Sequence, residues 1–318
     1  MGPSLKTIYT QCWPPRPTWG IDDIPDQTGR VHLVTGGAAG LGKETVRALL
    51  RKNARVYVAA RGKAKAEAAI AEFKRETGTE AIFLELDLAS LASIHRAAEE
   101  FLSKEKELHV LYNNAGVMFT DMNLLTADGY DLQFGTNVLG HYYLTELLIP
   151  ALVAGAKTSN DGVSRVVNVS SGIQYWGELN FDTFSDTPER RKWFGREYRL
   201  YAQSKFANVV YAKELQRRVS KDNIVVTSLN PGNIRSDLWQ HFPGFLRKFL
   251  FATTLHSIQD GALTQLYAGT VPEGKDFAGQ FLIPWARLGL CNPAANDPEL
   301  GRKLWEWLEA QVQKHQAQ

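Results

Sequence analysis

The sequence predicts an α/β fold: a doubly wound parallel sheet with helices on both faces, all in one domain. Three observations predict it. Short runs rich in Val, Ile and Leu recur with little polar alternation, as strands buried on both faces require. Segments of helical period separate these runs, and right-handed crossovers then place helices on both sides of the sheet. The first run ends in a glycine-rich turn that opens a helix, Thr35-Gly36-Gly37-Ala38-Ala39-Gly40-Leu41-Gly42.

In chain order, strands are expected at Val31–Thr35, Arg55–Ala60, Ala81–Leu86, Leu108–Tyr112, Arg165–Ser170, Ile224–Leu229 and Gln280–Ile283. Helical patterns fall at Lys43–Lys52, Ala64–Thr77, Leu91–Lys104 and Tyr198–Val219. No repeat, low-complexity tract or linker divides the chain. Residues 1–29 read as an N-terminal extension and 30–318 as a single Rossmann-type domain.

Two irregular stretches break the compact pattern. Gly172–Gly195 carries Tyr175, Trp176, Phe181, Phe184, Trp193 and Phe194, and residues 233–255 carry Trp239, Phe242, Phe245 and Phe249. Long irregular segments in such folds are usually binding loops, and ligands lie beyond the carboxyl ends of the strands, where both begin. Tyr175, Trp176, Trp239 and Phe242 are therefore expected to line a pocket, with burial in the core as the plainer alternative.

At 318 residues, 44% hydrophobic and 22% charged, the chain has ample apolar mass for a core. With a net charge of +2 and dispersed Lys and Arg, nothing argues for a nucleic-acid surface. Cys12 and Cys291 supply neither a disulfide framework nor metal-ligand spacing, which suits a reducing compartment. Met1–Asp23 lacks the apolar run of a signal or anchor, and Lys6 stands where a myristoylation site wants Ser or Thr. A cytoplasmic location is the expectation. Phe242–Leu255, edged by Arg247 and Lys248, also has the make-up of a segment that lies on a bilayer or lipid droplet.

The glycine turn has a physical reading. Gly36 permits the tight turn, Gly40 lets backbone approach a pyrophosphate, and Gly42 allows close helix–strand packing. The helix N-terminus then offers free N–H groups to phosphate. A turn without a ligand is the alternative. An NAD site wants an acid about 20 residues on, at the end of the second strand. Here the chain reads Val58-Ala59-Ala60-Arg61, with Lys63 and Lys65 beyond. Cations without a carboxylate suit a 2′-phosphate, so NADP(H) is the expected cofactor, unless Arg61 only ends a solvated loop. Asp87 is placed either to accept from an adenine amino group or to cap the Ser90–Lys104 helix. Asn113-Asn114-Ala115-Gly116 ends the fourth strand, where small residues let backbone pass a flat ligand or simply turn.

Tyr201 and Lys205 stand at i and i+4, on one helix face. A phenol titrates near ~10, and a neighbouring ammonium favours phenolate, tuning it for proton transfer. Ser171, at the end of Val166–Ser171, can hydrogen-bond a substrate oxygen, whereas Ser170 should point to the strand's other side. Asn137 lies in an otherwise apolar helix where an amide needs a partner. It holds a water near Lys205 or is a satisfied core amide.

Thr35–Gly42, Asp87-Leu88, Asn113–Gly116, Asn137, Val167–Ser171, Tyr201–Lys205 and Asn230-Pro231-Gly232 together resemble the classical short-chain dehydrogenase/reductase family. The long segment before Tyr201, with Asn180-Phe181-Asp182, is similar to its retinol-dehydrogenase-like branch, although Val138 replaces a His common there. The resemblance implies a tetrad of Asn137, Ser171, Tyr201 and Lys205. It implies that Lys205 contacts the nicotinamide ribose. Leu41, Leu88, Pro231, Gly232, Ile234 and Ser236 would lie beside the cofactor. The implied activity is NADP-dependent carbonyl reduction or alcohol oxidation on an apolar ketone, aldehyde or alcohol. A non-catalytic NADP(H)-sensing protein on the same fold is the alternative. The family often pairs through two long central helices, so a homodimer is the implied assembly.

Overall fold

The computed structural model describes residues 4–193, 195–235 and 256–317. Phe194, Ser236, Trp239 and Phe242 lie outside the described residues, as do nearly all of 233–255 and the bilayer reading of Phe242–Leu255.

Seven strands run parallel: β1 (Val31–Thr35), β2 (Arg55–Ala60), β3 (Ile82–Glu85), β4 (Val110–Asn113), β5 (Ser164–Val169), β6 (Ile224–Leu229) and β7 (Phe281–Ile283). An antiparallel edge strand, β8 (Arg287–Gly289), completes the order β3-β2-β1-β4-β5-β6-β7-β8. β1, β4, β5 and β6 are buried at every position, which is why their sequences do not alternate. The order reverses between β1 and β4. Crossovers leave these two strands in opposite directions, so a crevice opens beyond their carboxyl ends.

Among the described residues eight longer helices accompany the sheet: α1 (Leu5–Cys12), α2 (Gly40–Arg51), α3 (Lys63–Thr77), α4 (Leu91–Lys104), α5 (Gly140–Thr158), α6 (Glu197–Arg218), α7 (Ile258–Thr270) and α8 (Pro298–Gln316). On one face, Val46, Leu49, Phe73 and Leu266 from α2, α3 and α7 pack on Val34, Val58 and Val167. On the other, Ile94, Leu144, Val210 and Leu304 from α4, α5, α6 and α8 pack on Leu33, Leu111 and Val166. Local chemistry sets the ends. Ser90 caps α4 by accepting from Ser93 N–H, and α3 stops at Gly78, whose φ of 76° an L side chain resists.

Three departures from the sequence reading have physical causes. β8 is only three residues long and pairs at the edge, too short to carry a hydrophobic pattern. The Gly172–Gly195 stretch is mostly packed structure. Phe184 is fully buried and stacks on Phe134 with ring centroids 3.7 Å apart, so it belongs to the core. Arg190 in the same stretch is buried too, donating to Asp131 Oδ2 at 3.0 Å and to Met122 O at 2.7 Å. Finally, α8 packs along α6 and touches α5. Trp305 stacks on Tyr211 and meets Tyr142 edge-on, at centroid distances of 6.1 and 5.1 Å.

Candidate active site

Two adjoining hollows lie at the β1/β4 crevice. One is a cleft of about 450 Å³ lined by Gly36, Gly40, Leu41, Arg61, Lys65, Asp87 and Thr136, among others. The other is a cavity of about 290 Å³ that holds Ser171, Tyr201 and Lys205. They share Leu41, Asn114, Gly116, Val117 and Met118, so the cleft opens into the cavity.

The glycine turn builds the cleft wall. Gly36 and Gly40 have φ of 69° and 51°, the left-handed region that glycine enters without strain. A Cβ at Gly42 would come 2.4 Å from Gly36 O, so Gly42 is needed for backbone packing and does not itself line the cleft. Thr35 is likewise absent from the lining. Its fully buried hydroxyl accepts from the N–H groups of Asn114 and Ala115, at 2.9 Å each, and so pins β4 to β1. Both were expected at the cofactor; both support it from behind.

The residues fit a dinucleotide. Asn114 Oδ1 and Thr136 Oγ1 are buried at the cleft and have no hydrogen-bond partner among the described residues. Arg61 and Lys65 stand exposed at its rim beyond β2. Asp87 is the only carboxylate among the described lining residues. Ser90, not Asp87, caps α4. The Asp87 carboxylate accepts from Ala89 N–H at 3.0 Å and otherwise faces the cleft, which removes the capping alternative.

In the cavity, α6 brings Tyr201 and Lys205 side by side. Lys205 Nζ donates to Val169 O at 2.9 Å and lies 5.8 Å from the Tyr201 ring centroid. Burial pulls the Lys205 ammonium down to about 8. Burial also pushes the Tyr201 phenol up to about 12, against a smaller opposing effect of a hydrogen bond with Ser171. In this cofactor-free state desolvation is the larger influence on both groups, and the Lys205 ammonium is turned to Val169 O. Ser170 turns away from the cavity centre and donates to Lys205 O at 2.6 Å, locking strand to helix.

Asn137 lies in a π-turn, Gly135–Leu139, that leads into α5. Its side chain accepts from Val117 N–H at 2.9 Å and donates to Val117 O and Ser204 Oγ at 3.0 Å each. The amide is thus satisfied by protein, and it stitches the β4 loop to α6. A Cβ on Gly116 would sit 3.2 Å from Asn137 Oδ1 and 3.4 Å from Lys205 Nζ, so glycine there is what lets those groups converge.

Tyr175, Trp176, Pro231, Gly232 and Ile234 line the cavity, and Leu88 lines the cleft with Ala115. Three contributors escaped the sequence reading. Phe119, at φ 52°, sets its ring edge-on to Tyr201 at 5.3 Å. His141 links the glycine turn to the π-turn. Its ring contacts Asn137 O at 3.0 Å through Nδ1 and Thr35 Oγ1 at 2.9 Å through Nε2. A carbonyl can only accept, so Nδ1 carries the hydrogen, and burial pulling the ring to about 4 keeps it neutral. Its place four residues after Asn137 was the available signal. The third is α1, whose Thr7, Ile8, Gln11 and Cys12 line the cavity.

Comparison with known proteins gives concordant matches. Residues 30–183 match the family model described as short chain dehydrogenase. A short-chain dehydrogenase/reductase of Armillaria gallica is 53% identical, covering 98% of this chain and 99% of its own. An uncharacterized oxidoreductase of Schizosaccharomyces pombe is 39% identical, covering 88% and 84%. A crystal structure of a Mycobacterium paratuberculosis protein superposes with a TM-score of 0.70 at 30% identity, covering 93% of this chain and 97% of that one.

Proposed function

The chain belongs to the short-chain dehydrogenase/reductase family, and on that premise we propose that it is an NADP-dependent carbonyl reductase acting on an apolar ketone or aldehyde. The observation that carries this reading is the meeting of Ser171, Tyr201 and Lys205 in one largely apolar cavity that opens onto the glycine-turn cleft. Arg61 and Lys65 at the rim, with no carboxylate at the end of β2, support a 2′-phosphate.

A bound nicotinamide supplies the hydride in reduction and accepts it in the reverse reaction. The protein's own groups manage the oxygen and its proton. The Tyr201 phenol, held neutral by burial up to about 12, keeps its proton at working pH and donates it to the substrate oxygen. Ser171 hydrogen-bonds the same oxygen and holds it within reach of the phenol. Lys205 carries its charge on Nζ against Val169 O, at the cavity wall nearest Gly116, where it stabilises negative charge that develops as the carbonyl is reduced. Asn137 and His141 position this set by tying the β4 loop, the π-turn and the glycine turn together.

The test is NADPH oxidation across a panel of apolar ketones and aldehydes. Tyr201→Phe should lower turnover by ~10²–10⁴ with NADPH affinity kept. In the same assay Arg61→Ala should weaken NADPH by about tenfold to a hundredfold and NADH hardly at all. A Phe variant that kept most turnover would remove Tyr201 as the acid. Equal losses for both cofactors would remove Arg61 as the phosphate ligand.

A further inference from the structure

We propose that α1 is a wall of the substrate cavity, with Ile8 setting how long an apolar substrate is accepted and Gln11 holding the wall in place; this rests on the reductase reading above. The helix docks in an unusual way. Apart from Ile8, its large apolar residues face out, with Leu5 86%, Tyr9 63% and the following Trp13 47% exposed. Its one buried side chain is an amide, Gln11. A buried amide is costly unless bonded, and Gln11 is bonded at both ends. Its Nε2 donates to Tyr175 Oη at 3.0 Å, and its Oε1 accepts from Asn230 Nδ2 at 2.8 Å.

Those partners belong to the site's own frame. Tyr175 follows Ser171, and Asn230 precedes Pro231-Gly232 and accepts from Gly232 N–H at 3.0 Å. The helix end is held as well: Cys12 O lies 3.1 Å from His256 Nε2, and Thr10 O accepts from Arg287 at 3.5 Å. Thr7, Ile8, Gln11 and Cys12 fall at helical i, i+1, i+4 and i+5, one face, and all four line the cavity. Polar ties thus fix the helix over the reacting groups.

This defines the substrate class further. Among the described lining residues Lys205 is the only charged one, so the cavity suits an uncharged carbonyl compound. Its apolar body packs on Ile8 together with Phe119, Ile173 and Ile234. Each added methylene that reaches this lining should raise kcat/KM by roughly fourfold until the space is filled.

The test uses the full chain and a homologous series of methyl ketones. Ile8→Trp should move the best chain length down and cut kcat/KM for the longest ketones more than tenfold, with a much smaller effect on the shortest. Ile8→Ala should move it up, and neither should change NADPH affinity by more than about twofold. Gln11→Leu should raise KM for all members more than it lowers kcat. A second readout needs no turnover. Cys12 is partly exposed and Cys291 is buried, so N-ethylmaleimide labelling of Cys12, read by peptide mass spectrometry, should slow at least threefold with a saturating ketone and NADP⁺. Slowed labelling without turnover of any ketone leaves the wall standing and removes the reductase reading. Turnover with an unshifted length profile and unprotected Cys12 removes the wall.

Discussion

Lys205 is where the residue scale matters most. Its ammonium is buried and drawn from 10.5 down to about 8, so below that pH the fold holds a charge that water would solvate better. Between about pH 8 and 10.5 the unfolded chain binds the lysine proton and the folded one has released it. Stability contributed by this group therefore rises with pH across that window, and the penalty is complete below pH 8. Lys205→Met should abolish most turnover yet stabilise the cofactor-free protein at pH 7 by up to roughly 3 kcal/mol. The Val169 carbonyl keeps Asn208 as a donor at 3.3 Å, so no orphan acceptor is created. Urea titrations at pH 7 and pH 10 should show the gain shrinking at the higher pH. A gain that grew with pH, or none at pH 7, would sink the argument. The i, i+4 spacing of Tyr201 and Lys205 was legible in the sequence because helix geometry alone puts them together. Their proton affinities were not, because these depend on burial from elements far along the chain.

Elements were legible in proportion to how completely they are buried. β1, β2 and β6 fall where the uninterrupted apolar runs begin and end, as does α4 with its serine cap. The Gly172–Gly195 stretch is only partly legible, because an aromatic looks the same in sequence whether it lines a pocket, like Trp176 at 60% exposed, or stacks in the core, like Phe184. Its attachment depends on Gln203, which lies between Tyr201 and Lys205 but points away, accepting from Asn180 N–H at 2.9 Å and donating to Thr183 Oγ1 at 2.9 Å. At this scale α8 makes a sharp prediction. Trp305 is 5% exposed between Tyr142 and Tyr211, with the Arg218 guanidinium 4.2 Å from its ring centroid. Trp305→Ala should cost about 3–5 kcal/mol in equilibrium denaturation while the folded fraction keeps its KM. A loss below ~1 kcal/mol would mean that α8 is not part of the cooperative core.

For the whole molecule, the sheet order follows from strand–helix alternation, and the crevice from where that order reverses. Assembly does not follow in the same way. The family resemblance implies pairing through two long central helices, here α5 and α6. α8 packs along α6 and reaches α5 through Trp305 against Tyr142, and 15 of the 22 residues of α6 are already buried within one chain. We expect sedimentation velocity at micromolar concentration to give the mass of a single 35.5 kDa chain. Cross-links joining α5 or α6 of two copies would contradict this.

The ties of α1 also have a consequence in time. The cleft is assembled from residues between Gly36 and Thr136, whereas the cavity needs Gln11 against Asn230, Cys12 against His256 and Thr10 against Arg287. Contacts between segments so far apart in sequence close late, because the chain must lose the entropy of a long loop before they form. A refolding or newly made chain should thus pass through an interval in which it can hold a nucleotide but has no finished chamber for a substrate. Competence to bind would then precede competence to react.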